Sequence, residues 1–482
     1  MDQVTTTMTP ANQTEHGEKP LPQTPPEAWE PLLRLARLAG RPLERFLHIE
    51  AASGILLLVA SAVALLWANS PWAESYQSLW RTPLGIQIGR FAFGRTLEFF
   101  VNDVLMVVFF FVVGMEIRRE IHHGELSEWR RAALPAVAAL FGMLAPAVLY
   151  LLLAGGKATH SGWGVPMATD IAFAVGILTL LGKRVPAALR VLLLALAVID
   201  DLGAIVVIAL FYSSGVAVSG LLLAALGFSG VLAMQRLGVR SRFWYVLPSV
   251  VVWIGIYSAG VHPTIAGVLV GLVTPVRAWL GPEGFVVGVR KELDRLATAT
   301  ERALSSHELA ESLRHVDVAR REAMSPAESL IDALHPWVAF GIMPLFALAN
   351  AGVALAGTSL QTVPWRVVLG VAVGLVVGKP VGVLFSVWLT VKLRLGRLPL
   401  SLSLRHVVVL GVVAGIGFTM ALFIAQLAFT DVRFLSAAKL GVLTASAVAA
   451  VLGLVLGRIL LPTVHTDGAA RTADEAESST ET

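Results

Sequence analysis

Long apolar runs separated by short polar stretches set the rhythm of this chain. They lie at about 51–68, 97–117, 132–154, 163–181, 187–212, 216–235, 243–259, 262–276, 336–355, 365–392, 405–428 and 434–461. A helix needs about 20 such residues to cross the hydrocarbon core of a bilayer. The runs are continuous rather than alternating, which favours helices over barrel strands. The pattern predicts an all-α polytopic membrane protein with about 12 transmembrane helices.

Several stretches break the rhythm. Residues 1–27 are rich in Thr, Pro, Gln and Glu and read as a disordered tail. No apolar h-region follows the start, so no cleavable signal peptide is expected. From Glu27 to Leu47, leucines alternate with Arg34, Arg37, Arg41 and Arg45, which predicts an amphipathic segment on the membrane surface. The transmembrane domain is therefore placed at 48–462, after a tail of 1–47. Between Trp80 and Phe93 the apolar residues alternate around Gly89-Arg90, as in a short β-hairpin outside the membrane; an irregular loop is the other reading. A polar insert at about 277–335 carries Leu293, Leu296, Leu304, Leu309 and Leu313 among charges, which predicts surface helices. Residues 463–482 are acidic and Ser/Thr-rich and read as disordered.

Composition agrees with the pattern. Only 15% of residues are charged and the mean hydropathy is +0.74, against about 25% charged in soluble domains. The chain has no cysteine, which excludes disulfides, thiol catalysis, Cys-ligated zinc and iron–sulfur clusters. The net charge of +4 does not point to nucleic acid, because the basic residues fall in loops. Twelve spans put both termini on one side. Of the 37 Lys and Arg, 29 fall on that side and 6 on the other, with Lys379 and Lys439 inside spans. By the positive-inside rule the termini and the insert are expected in the cytoplasm.

The chemistry is expected where this pattern is violated. Asp200 and Asp201 sit side by side within the 187–212 run. One mid-membrane Asp costs roughly 2.5–3.5 kcal/mol, and two adjacent ones repel, so the pair needs a proton, a cation or a basic partner. Asp103, Asp170 and Lys379 also lie inside runs, with Glu116 and His262 near run ends. Carboxylates outnumber the one lysine, so the site is acidic and attracts cations. Pro166 and small residues weaken the helix ahead of Thr169 and Asp170. Freed carbonyls, the Thr169 hydroxyl and carboxylates together suit a small hard cation. Lys379, in Gly378-Lys379-Pro380, is expected to pair with Asp200 or Asp201, either as a structural bridge or as a proton-exchanging group. Gly415 and Gly417 mark a second break or a close helix contact. The two weak helices are spans four and eleven, so they run in opposite directions. Inverted repeats with two crossing discontinuous helices, as in secondary transporters, follow from that placement.

An ordered set of motifs resembles the NhaA family of sodium/proton antiporters over roughly residues 50 to 462. The set comprises Ala168-Thr169-Asp170-Ile-Ala-Phe, Ile199-Asp200-Asp201-Leu-Gly-Ala, Gly260-Val-His262-Pro and Leu334-His335-Pro336-Trp337. It continues with Phe346-Ala-Leu-Ala-Asn350, Gly378-Lys379-Pro380 and Gly415-Ile-Gly417-Phe-Thr419-Met420. The resemblance implies that Asp201 is the principal sodium ligand and proton carrier, with Asp200 beside it and Thr169 assisting. It implies that Asp170 and Lys379 compensate the dipoles of the broken helices, and that Lys379 pairs with Asp200 and exchanges protons. It ties Glu116, His262 and His335 to the pH response. For Glu116 a cytoplasmic-end ion pair, and for His262 a satisfied core position, are the plainer readings. It also implies a bacterial inner-membrane location and a homodimer formed by strand pairing through the hairpin at 80–95. Where the family usually has an acidic residue followed by His, this chain reads Ile331-Asp332, and the insert at about 281–326 is longer than usual.

The expected activity is export of Na+ or Li+ in exchange for H+ by alternating access to the carboxylate pair, pH-regulated and electrogenic. No enzymatic activity, cofactor or resident metal is expected. Na+, Li+ and protons are the transported ions, and the lipid bilayer is the surrounding partner. A K+/H+ exchanger and a cation channel are alternatives on the same fold. An intramembrane aspartyl protease leaves Lys379 and the glycine break without a task.

Overall fold

Apolar helices dominate the computed structural model, which describes residues 50–88, 91–213, 215–239, 241–300, 305–354, 363–394, 398–399 and 401–462. Among the described residues, eight helices are long and apolar enough to cross a membrane, and two bent helix pairs raise this to as many as ten. Phe243–Ser258 and Thr264–Val273 are shorter apolar helices. Each of the twelve apolar runs falls on one of these elements. The chain is a multi-pass, all-α membrane protein.

Some helices are shorter than their apolar runs because proline intervenes. Thr264–Val273 follows Pro263 and stops at Thr274, whose extended backbone (φ −63°, ψ 130°) is the conformation favoured before a proline, here Pro275. Ten residues rise only about 15 Å, half the hydrocarbon thickness. The turn leading into this helix passes through Gly260 at φ +80°, a region that favours glycine. The short helix packs closely on Met106–His123. A Cβ on Gly114 would stand 2.7 Å from Val268 O, and one on Gly271 2.5 Å from Phe111 O. Small residues at this contact let the two backbones meet, as is usual in lipid.

The hairpin is present and starts later than the sequence pattern placed it. Pro83–Ile88 pairs antiparallel with Phe91–Thr96, from Pro83 opposite Thr96 to Ile88 opposite Phe91. Trp80 belongs instead to the helix Ala73–Arg81. Its ring is 5% exposed and meets Tyr76 edge-on at 6.2 Å. Tyr76 in turn donates its hydroxyl to Leu348 O at 2.8 Å and Ala349 O at 3.0 Å. Burial of the two aromatics therefore keeps this turn helical, and the strand begins at the proline.

The polar insert forms helices Gly281–Thr300, Ser306–Ala323 and Pro326–Trp337. The last two open on the same local signal, Ser-x-x-Glu. Ser305 with Glu308 and Ser325 with Glu328 each form a reciprocal capping box, and Pro326 occupies the first turn. Buried Glu292 joins the first two helices, 3.1 Å from Arg295 and 3.4 Å from His315. The terminal segments 1–47 and 463–482, including the amphipathic stretch, lie outside the described residues.

Candidate functional site: two broken helices crossing over a carboxylate pair

Both interruptions expected from Pro166 and from Gly415-Gly417 are present. The fourth span is a 3-10 helix, His160–Met167, then extended backbone through Ala168 (ψ 148°) and Asp170 (ψ 102°), then the α-helix Ile171–Leu180. The eleventh is Leu404–Ala414 followed by Phe418–Ala428, bent by 46° at the glycines. Backbone freed from one helix is satisfied by the other. Asp170 N–H donates to Ile416 O at 2.7 Å. The Thr169 hydroxyl lies 2.9 Å from both Ala414 O and Asp200 Oδ2 and shares its single proton between them. Phe418 N–H turns instead to a third element, donating to Ser446 Oγ on the helix Val432–Leu460 at 3.1 Å. In a membrane these substitutions are obligatory, since no solvent is at hand for an orphaned amide.

Asp170 serves two helix starts at once. Its Oδ1 accepts from Phe173 N–H at 3.0 Å, capping Ile171–Leu180. Its Oδ2 accepts from Thr419 N–H at 3.1 Å and from the Thr419 hydroxyl, at the start of Phe418–Ala428. One carboxylate thus faces two positive helix ends, each worth up to about 2 kcal/mol in buried geometry. Thr419 was not singled out from the sequence. The available signal was its place just after the second break, where unpaired amides must find an acceptor.

Lys379 is fully buried and follows a π-helical turn at Gly374–Gly378. Its ammonium donates to Asp200 Oδ2 at 2.6 Å and to Met167 O, the last carbonyl of the 3-10 helix. A cation thus sits at a helix C-terminus while Asp170 holds the two N-termini. Of the two partners left open by the sequence, the lysine takes Asp200. Adjacent residues on a helix point about 100° apart, so Asp201 is turned away. Asp201 is 1% exposed and, among the described residues, neither of its carboxylate oxygens has a hydrogen-bond partner; Asp200 Oδ1 shares that condition. Among the described residues the Lys379 ammonium bonds one of the three buried carboxylates gathered here, Asp200. The geometry brings together Thr169, Asp170, Asp200, Asp201 and Lys379, and among the described residues leaves Asp201 as the acid of this group without a hydrogen-bonded counterpart.

The expected pH-response residues are dispersed. Glu116 lies on Met106–His123, within electrostatic range of Arg119 and of Asp201. His262 stands 3.9 Å from Asp103, with its ring against Phe423 at 5.2 Å. His335 is exposed on Pro326–Trp337, where Ile331 is buried and Asp332 exposed.

The glycines at the second break are there for space. Gly415 has φ −68°, open to any residue, but a Cβ there would stand 2.5 Å from Leu375 O. A Cβ on Gly417 would stand 3.0 Å from Ala168 O, at the crossing itself. Gly415→Ala is expected to destabilise by about 1–3 kcal/mol through forced separation of the two backbones. A lowered melting temperature in detergent would register it; an unchanged one would show that the crossing yields freely.

The chain matches the Na+/H+ antiporter 1 family over residues 44–456. It is 71% identical over 456 residues to a Na(+)/H(+) antiporter NhaA 2 of Myxococcus xanthus, covering 95% of this chain and 97% of that one. It is 56% identical to a Na(+)/H(+) antiporter NhaA 2 of Sorangium cellulosum, covering 96% and 100%, and 51% identical to one from Pseudomonas putida, covering 88% and 94%. These relatives are named as antiporters, which are transporters rather than enzymes. With a family match across most of its length and relatives this similar, the chain belongs to the NhaA family of Na+/H+ antiporters.

Proposed function

We propose that this protein exchanges Na+ for H+ at Asp201, with Asp200 and Thr169 beside it, by alternating access to the crossing of the two broken helices. The supporting observation is the asymmetry of the carboxylates. Asp170 is held by two helix starts and Asp200 by Lys379, while among the described residues both Asp201 oxygens are buried without a hydrogen-bond partner. A buried carboxylate in that position binds a proton or a small cation, and binding either excludes the other. Deprotonated, Asp201 and the free Asp200 oxygen offer hard oxygen ligands to Na+; protonated, they release it. Li+ also prefers hard oxygen and would compete for the same ligands. No cofactor enters this cycle.

Exchange is electrogenic if Lys379 also gives up a proton when Na+ binds near Asp200. Glu116, His262 and His335 would set the pH response, the first through its electrostatic reach to Asp201. The 29-to-6 bias of basic residues supports a cytoplasmic side for the termini and the insert, and the family supports a bacterial inner membrane as the location. The hairpin would join two copies by strand addition at an outer edge of its two-stranded sheet.

Everted vesicles with an acidified interior and a pH-sensitive dye test this reading. Addition of Na+ or Li+ should dequench the dye, and more so as the pH rises. Absence of a response to either ion at any pH would overturn it. A response to K+ alone would mean K+/H+ exchange on the same fold.

A further inference from the structure

Three amide side chains form a hydrogen-bonded chain inside the apolar part of this protein, apart from the carboxylate site. Asn350, which is 0% exposed, donates its Nδ2 to Asn102 Oδ1 at 2.8 Å and to Phe346 O at 2.9 Å. Its Oδ1 accepts from Gln426 Nε2. The three residues come from different elements. Asn102 lies in a π-helical turn at Phe100–Leu105, in the first turns after the hairpin. Asn350 ends Met343–Asn350, and Gln426 lies near the end of Phe418–Ala428.

Gln426 shares a helix with Thr419, seven residues earlier and therefore about 10 Å away along the axis. Thr419, Phe423 and Gln426 are spaced i, i+4, i+7 and share one face. They read outward from the site as three layers. Thr419 binds Asp170. Phe423 is packed among Phe110 at 5.4 Å, Phe346 at 6.1 Å and His262 at 5.2 Å. Gln426 then closes the stack through Asn350 and Asn102. The stack lies between the carboxylates and the hairpin end of the molecule. On one side it is built from the discontinuous helix; on the other, from helices that contribute no residue to the crossing. A fully buried Asn350 tied to two half-buried amides needs a reason, since aliphatic residues would fill the same space without polar groups to satisfy.

We propose that Gln426, Asn350 and Asn102 form a latch that closes the hairpin-side path to Asp200 and Asp201 and opens once in each transport cycle. This rests on the alternating-access reading above. An amide contact suits a latch because it is specific in register yet exchangeable for water once the path fills. A purely apolar seal would have no polar partner to offer the entering ion.

The absence of cysteine makes the test direct. Asp201→Cys supplies a single thiol at the site, to be labelled from the hairpin side with a membrane-impermeant thiol reagent, with and without Gln426→Leu. The latch predicts labelling faster in the Gln426→Leu background by about 2- to 10-fold, the worth of one hydrogen bond. Equal rates would overturn it. This readout needs no transport, so it stays distinct from failure of the antiport reading, which would appear as a missing Na+ response in the native chain. As a second measurement, Asn350→Cys/Gln426→Cys joined by oxidation should stop exchange and recover on reduction. Full cross-linking with exchange unchanged would also overturn the latch.

Discussion

Asp201→Asn is expected to abolish sodium-dependent proton release and to leave the protein folded. The substitution keeps size and shape. No hydrogen bond among the described residues is lost, because neither Asp201 oxygen makes one there. What disappears is the charge, and with it both the proton and the cation that the charge would hold. A buried like-charge neighbour of Asp200 is also removed, so stability should hold or rise. Flux in everted vesicles should fall to that of vesicles lacking the protein at every pH. Melting in detergent should change little, which separates a lost site from a lost fold. Sodium-driven flux persisting at the native rate in the variant would sink the assignment of Asp201 and move the exchange site elsewhere. Asp200→Asn should behave differently. It disturbs a bonded pair, so some loss of stability should accompany the loss of flux.

The architecture was legible because lipid permits few backbones. Each continuous apolar run had to become a helix, and the two places where Pro166 or paired glycines interrupt a run became the two breaks. The acids were legible for the same reason, since a mid-membrane Asp is too costly to be incidental. Pairing was less so. The residues alone left Lys379 with two candidate acids; the family resemblance implied Asp200, and the helical rotation between the two sets the ammonium on it. Thr419 and the chain through Asn102, Asn350 and Gln426 escaped notice because neutral polar residues cost little in a helix taken alone. Their meaning comes from what three distant segments bring together, 248 residues apart for Asn102 and Asn350. The short helix at Thr264–Val273 and the late start of the hairpin followed from prolines and aromatic burial rather than from the apolar pattern.

Lys379→Met is expected to be among the most destabilising single changes in this protein, and Asp200→Asn to reverse much of it. With both side chains 0% exposed, removal of the ammonium leaves the Asp200 carboxylate buried without its counter-charge, its Oδ2 keeping only the shared Thr169 hydroxyl, and also frees Met167 O at the end of its 3-10 helix. Loss of one member of a buried pair costs about 3–5 kcal/mol. Asp200 escapes part of that cost by taking up a proton, so the penalty should be greatest at high pH and smaller at low pH. In Lys379→Met/Asp200→Asn the stranded charge is gone and most of the stability should return. Thermal unfolding of the single and double variants in detergent closes the cycle. Additive losses would show that the pair is not coupled and that the lysine acts mainly through Met167 O. Lys379→Arg then separates holding charge from exchanging protons. Arginine keeps the charge but does not give up its proton. If Lys379 supplies a transported proton, the arginine variant should exchange with less charge moved per Na+ while remaining folded. Unchanged charge movement would reduce Lys379 to a structural partner of Asp200.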